Sequence, residues 1–186
     1  MNLRPDPTFY PSPKLAMEAP VENYAFTVMF SPDGSQSDGI AVIDLNPKSE
    51  THGKIVHQVI VPHKRDEFHH FGWNACSSSL SPLSGHAFLE RRYLIVPGIR
   101  SSRIYIIDVK DPLKAKIHKT IEPEEVFSKT GYSRPHTIHC GPEGIYVSCL
   151  GGGGEDGTDG PPGIFIMDCE TFEIIGQYAV SYTHLR

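Results

Sequence analysis

The chain has 186 residues, 39% of them apolar, and a formal net charge of −5 with a pI near 6.0. That length and apolar share can bury one sizeable core, while the acidic balance lacks the basic footprint a phosphate backbone demands, so nucleic acid is not an expected partner. No run approaches the ~18 apolar residues of a membrane span. The first twenty residues carry prolines at 5, 7, 11, 13 and 20 where a leader would have an apolar core, so the expectation is a cytoplasmic protein without signal peptide or membrane span.

Residues 1–22 read as a Pro-rich arm in which 13–19 has room for one helical turn. From Asn23 onward the pattern becomes short β-rich runs parted by Pro, Gly, Asp and Ser: 24–30, 39–45, 54–61, 91–97, 103–109, 116–121, 144–150, 162–169 and 172–180. No stretch of helical period and useful length interrupts them, so the fold class is all-β and residues 23–180 form one unit.

That unit repeats internally. Ile40-Ala-Val-Ile-Asp44, Ile104-Tyr-Ile-Ile-Asp108 and Ile164-Phe-Ile-Met-Asp168 share one pattern, their aspartates 64 and then 60 residues apart. An apolar strand precedes each copy, and a polar turn with an outer strand follows it. Repeated antiparallel units of this kind signal a β-propeller, with long insertions because ~40–45 residues is the usual blade. About three units are present and a ring needs ~4–8, so the chain reads as an incomplete propeller. Residues 181–186 neither continue the repeat nor supply a turn, and read as a non-native tail in which His184 is not counted as a ligand.

Two insertions hold the chemistry. Asp66-Glu-Phe-His-His-Phe-Gly-Trp-Asn-Ala-Cys76 packs two carboxylates, two imidazoles, the single Trp and a thiol into one stretch, and His136-Thr-Ile-His139-Cys140 repeats part of it one unit later. Imidazole and thiolate suit copper, zinc and iron, and their combination leans toward the softer of these. Each knot precedes the second strand of its unit, which places both near the propeller axis. In a regular strand His69 and His70 face opposite ways, so sharing one metal requires a bulge or loop, which Gly72 permits. His136 and His139 share a face in a tight turn but not in a strand.

Four cysteines in a chain with this much core are expected to be reduced. Cys149 and Cys169 lie in apolar strand patterns and read as core packing. Cys76 and Cys140 adjoin the histidines, which can lower a thiol pKa, although Cys140 also suits a buried structural place. Asp66 and Glu67 can orient an imidazole through its free N–H, or be solvated charges facing Lys64 and Arg65. Trp73 reads as an anchor between blades. The run 151–160 lacks the lysine and helix of a P-loop and the carboxylate spacing of an EF-hand, and reads as a mobile inter-strand loop.

Beyond these physical readings, the chain resembles the selenium-binding protein family, whose studied members act as methanethiol oxidases. The resemblance runs from about Arg4 to Val180. It rests on Asp44-x-x-Pro-Lys-Ser49, Asp66-Glu-x-His-His-x-Gly-Trp-Asn-x-Cys-Ser-Ser78, Ser101-Ser-Arg-Ile-Tyr-x-x-Asp-Val109, His118-Lys-x-Ile-Glu-Pro123, His136-Thr-x-His-Cys140 and Glu170-Thr-Phe-Glu173. It implies a seven-bladed propeller of which this chain is the N-terminal two-fifths, the missing C-terminal blades closing the ring. It also implies a copper-dependent oxidase turning methanethiol and O2 into formaldehyde, hydrogen sulfide and hydrogen peroxide. The residues carried over are His69, His70, His136 and His139 as metal ligands, His69, His70 and Cys76 for catalysis, and Asp66, Glu67 and Cys140 around them. Two departures stand out: Ser79 replaces the second Cys of a vertebrate Cys-Ser-Ser-Cys motif, and Gly53 occupies the position of the Cys proposed to hold selenium. The competing reading is a non-catalytic propeller that binds selenium, metal or protein.

Overall fold

The computed structural model describes residues 9–81, 84–155 and 158–178. The tail 181–186 and the first eight residues of the arm lie outside them. Three antiparallel sheets follow one another along the chain. The first is β1 (Tyr24–Met29), β2 (Ser37–Asp44) and β3 (Ile55–Lys64). The second is β4 (Gly72–Trp73), β5 (Tyr93–Pro97), β6 (Ile104–Asp108) and β7 (Lys116–Ile121). The third runs β8 (Pro135–Gly141), β9 (Gly144–Cys149), β12 (Gly163–Met167) and β13 (Ile174–Gln177). This is the meander of successive propeller blades, and the fold is all-β.

The threefold repeat has a local cause. The aspartate ending each copy accepts a hydrogen bond from the amide two residues on, Asn46 N to Asp44 Oδ1 at 2.8 Å, Lys110 N to Asp108 Oδ1 at 3.1 Å and Glu170 N to Asp168 Oδ1 at 2.8 Å. Such a side-chain turn fixes the reversal into the outer strand. Arg92 adds a two-pronged clamp on Asp108, Nε at 2.9 Å and Nη2 at 2.6 Å, and this hydrogen bonding holds its carboxyl down to about 2.

The middle sheet is buried on both faces, which is why β6 reads as an unbroken apolar run. Ile95, Ile104 and Ile106 join Ile138, Ile145, Val147 and Phe165 of the third sheet in one core. Leu94, Val96, Tyr105 and Ile107, their neighbours in sequence, join Ile40, Val59 and Val61 of the first sheet in another. Alternation along a strand thus feeds two interfaces at once. Trp73 spans the gap toward the first sheet, edge-on to Phe26 of β1 at 5.9 Å with the Arg91 guanidinium 5.0 Å over its ring.

Two expectations are corrected. A helix, α2 (Pro123–Thr130), does interrupt the strands; Pro at its first turn, Glu124 and Glu125 near its N-terminus, and Gly131 at φ 70 as its cap all favour it. At two turns it is too short to show a period. The run 151–160 is not a bare loop: Gly152–Gly153 (β10) pairs antiparallel with Asp159–Gly160 (β11). Glu155 beside this ribbon binds Arg65, Nε to Oε2 at 2.8 Å, and its amide donates to the Arg100 carbonyl. In the arm, α1 (Pro13–Met17) is the anticipated turn, with the Ser12 hydroxyl capping Leu15 N. Among the described residues no helix is long and apolar enough to cross a membrane.

Candidate metal centre

Residues 65–71, between β3 and β4, carry the first histidine pair and form no regular strand. Arg65 and Glu67 both take left-handed backbone, at φ 64 and 61, a conformation costly for residues with a Cβ. What holds them is Asp38, 1% exposed at the start of β2, whose Oδ2 accepts from Glu67 N at 2.6 Å and Phe68 N at 3.3 Å while Oδ1 accepts from Ser31 N at 2.8 Å. An isolated bridge from Phe68 to Gly98 pins the other side. With strand alternation broken, His69 and His70 are free of the opposite-face rule.

The second histidine approaches on a neighbouring blade. In β8 the pairing with β9 shifts register between Pro135 and Thr137, and His136 sits in that irregularity. β4 and β8 come close because Gly72 has no side chain: a Cβ there would lie 2.6 Å from the Ile138 carbonyl oxygen. The ring centroids of His70 and His136 are 4.3 Å apart, with His69 6.1 Å from His136 and 6.4 Å from His70. Partial burial, then the nearness of His70 and His69, lowers the pKa of His136, leaving a neutral imidazole at neutral pH whose Nδ1 lies 2.9 Å from the Thr137 hydroxyl. Phe30 packs edge-on against His69 at 5.8 Å.

Glu67 and Asp66 part company. Glu67 Oε1 lies 3.1 Å from His69 Nε2, and its other oxygen pairs with Arg100 Nε, so the carboxylate holds one imidazole from a fixed guanidinium. Asp66 turns the other way. It is fully buried, accepts from the Tyr105 hydroxyl at 2.9 Å, and has Arg103 Nη1 at 3.8 Å from Oδ1, an oxygen with no hydrogen-bond partner. Burial raises its pKa, opposed by its bonds to Ser101 and Tyr105 and by Arg103. His63 Nδ1 continues this chain at 3.0 Å from the Tyr105 oxygen. Asp66 is therefore neither an imidazole partner nor a solvated charge.

His139 is not brought to the cluster. It is exposed beside Thr137 on the strand face opposite buried Ile138 and Cys140, and its Nδ1 contacts the Cys140 carbonyl oxygen. An i, i+3 pair in a strand diverges, and β8 is a strand there. The expectation of reduced thiols is overturned for one pair: Cys76 and Cys140 are joined in a disulfide, their Cα atoms 6.2 Å apart across 64 residues of sequence. Cys76 accordingly has no free thiol to offer catalysis, and Cys140 none to offer the histidines. Both inner segments carry a sulfur at matching places, so closing β4 on β8 brings them together. Cys149 and Cys169 are buried and free, and burial pushes both thiols up to about 12. Asp38, Arg100 and Phe30 were not anticipated from sequence; the one signal for Asp38 is a carboxylate opening an apolar strand, where a charge needs a buried donor.

The sequence matches the family of the 56kDa selenium binding protein (SBP56) over residues 3–185. The chain belongs to the selenium-binding protein family. Among curated members it is 40% identical over 173 residues to selenium-binding protein 3 of Arabidopsis thaliana, covering 91% of this chain and 35% of that one. To a methanethiol oxidase of Danio rerio it is 39% identical, covering 91% and 36%. A crystal structure of a hypothetical selenium-binding protein from Sulfolobus tokodaii is 55% identical and superposes with a TM-score of 0.86, covering 95% of this chain and 38% of that one. This chain thus spans roughly a third of the length of its curated relatives, the extent of a partial propeller.

The donor set suits a transition metal: three imidazoles and one oriented carboxylate. Nitrogens bound to one ion lie no more than about 4 Å apart, and the ring centroids here stand 4.3 to 6.4 Å apart. Among the described residues, no three His, Cys, Asp or Glu side chains are set to hold an ion as they stand.

Proposed function

We propose that this chain provides the imidazole side of a copper centre in a methanethiol oxidase, an enzyme that converts methanethiol, with oxygen and water, to formaldehyde, hydrogen sulfide and hydrogen peroxide. The supporting observation is the meeting of His69, His70 and His136 from two successive blades, with His70 and His136 at 4.3 Å. Copper held there would supply a redox-active Lewis acid for a thiolate, which zinc cannot. Neutral His136 offers its lone pair without first losing a proton. Glu67, braced by Arg100, fixes the ring of His69, and Phe30 limits its rotation. The remaining ligands, and the blades that close the ring, belong to the portion of the relatives beyond this chain.

Copper titration of this chain tests the reading. Replacing His70 and His136 together by Ala is expected to weaken binding at least ~10-fold, while His139→Ala leaves it unchanged; equal affinity in the double variant would remove the site. In a full-length relative carrying the same motifs, the double variant should also lose methanethiol turnover. The scaffold reading keeps one observation in its favour, that the donors are not closed on a point. Full zinc occupancy with no thiol oxidation in the complete protein would decide for it.

A further inference from the structure

The Cys76–Cys140 bridge lies apart from the cluster of His69, His70 and His136. Cys140 is four residues beyond His136 on β8, about 13 Å along an extended strand. Its two sulfurs are not equivalent. Cys140 is 3% exposed inside the third sheet, whereas Cys76 is half-buried just after β4, at the edge of a short turn of 3-10 helix (Ser77–Leu80). Ser78 Oγ stands 3.1 Å from Cys76 Sγ, 3.3 Å from Cys140 Sγ and 2.9 Å from the Cys140 carbonyl oxygen, to which it donates. Rotation of the hydroxyl hydrogen alone turns that donor onto either sulfur.

We propose that this bridge is a thiol–disulfide exchange site for small thiols, with Cys76 as the sulfur attacked and Cys140 as the leaving group. The small-molecule thiolate forms a bond to Cys76 Sγ as the Cys76–Cys140 bond breaks. The electron pair of the broken bond leaves on Cys140 as a thiolate, which then takes a proton from solvent. One disulfide is consumed and one mixed disulfide formed, so no outside oxidant enters. Access directs the attack, since a thiolate must reach along the sulfur–sulfur axis and only Cys76 faces outward. Ser78 stands within reach of both sulfurs, at 3.1 Å and 3.3 Å, so it stabilises whichever departs as thiolate, and access alone makes that sulfur Cys140. The consequence is mechanical: the bridge ties β4 to β8, the two segments that bring His70 and His136 together, and exchange would free that tie while leaving a small thiol on the protein. The proposal does not depend on copper.

The test treats the folded chain with sodium methanethiolate, quenches with acid, and maps adducts by peptide mass spectrometry. The expected result is one methylthio group on Cys76, a free thiol at Cys140, and no modification of Cys149 or Cys169. Glutathione, larger and charged, should react more slowly at the same sulfur. Ser78→Ala should slow exchange roughly tenfold, the loss of one charge-assisted hydrogen bond from the leaving sulfur, with an unchanged circular dichroism spectrum. Adducts on Cys140, equal labelling of both sulfurs, or labelling that appears only together with Cys149 and Cys169 on unfolding would overturn the proposal. So would a chain that shows four free thiols before any treatment.

Discussion

The two faces of the middle sheet bury similar side chains but are secured differently. Toward the third sheet, the interface is aliphatic and covalently closed: Ile95, Ile104 and Ile106 pack on Ile138 and Ile145, and Cys76 is bonded to Cys140. Toward the first sheet, the apolar layer of Leu94, Val96 and Ile107 is interrupted by buried polar groups, with Asp38, Asp66 and Tyr105 all nearly or fully enclosed. The histidines gather where these two kinds of interface meet, His69 and His70 positioned by the polar one and His136 by the apolar one. Side chains in the first stretch owe their directions to Asp38, which accepts from two successive backbone amides; the other stretch owes its place to the close approach at Gly72. Hydrogen bonds to a buried carboxylate can hold left-handed backbone that packing alone would release.

Removing the covalent half of this contrast should cost most. At a sequence separation of 64, the chain-entropy estimate for Cys76→Ser with Cys140→Ser is about 4 kcal/mol, read as a lowered urea midpoint against the oxidised parent. An unchanged midpoint would mean that the apolar packing alone secures this interface. Asp38→Ala attacks the polar half, leaving the amides of Ser31, Glu67 and Phe68 without their acceptor. The expected loss is about 3 kcal/mol, accompanied by a weaker copper response because His69 and His70 lose their support. If stability falls and copper binding does not, the carboxylate is structural and does not position the histidines.

The smallest effect separates the two faces by pH. Asp108, depressed to about 2 by its hydrogen bonds to Arg92, binds fewer protons folded than unfolded. Its stabilisation is therefore complete above the unfolded carboxylate value near ~3.9 and is lost as pH falls toward about 2. Asp66 has the opposite sign: burial raises its folded value, so the folded state binds more protons and stability falls as pH rises above ~3.9. Urea midpoints across acid pH should show Asp108→Asn flattening the acid limb by about 1–2 kcal/mol, and Asp66→Asn removing a loss that grows toward neutrality. An Asp66→Asn variant whose acid slope matches the parent would show that Asp66 stays ionised.

Much of this arrangement was legible in the residues alone. The three aspartate-ended strands declare a repeated meander because each carboxylate must cap its own turn, an interaction confined to three residues and so written locally. Trp73 and the buried Cys149 and Cys169 followed from apolar pattern for the same reason. The helix at Pro123–Thr130 carried its signals at both ends, in Pro123 and Gly131, yet two turns give no period to count. Tertiary structure alone decided the rest of the site. Asp66 and Glu67 are adjacent acids with the same intrinsic chemistry, and only the left-handed backbone at Glu67, held by Asp38 of β2, sends one inward to Tyr105 and the other toward His69. His136 and His139 are likewise separated only once β8 is extended, and Cys76 finds Cys140 only once two blades stack. The turn at Glu67 depends on Asp38, 29 residues away, and the bridge on a sulfur 64 residues away, and a chain's local preferences hold no information about which distant surface will arrive.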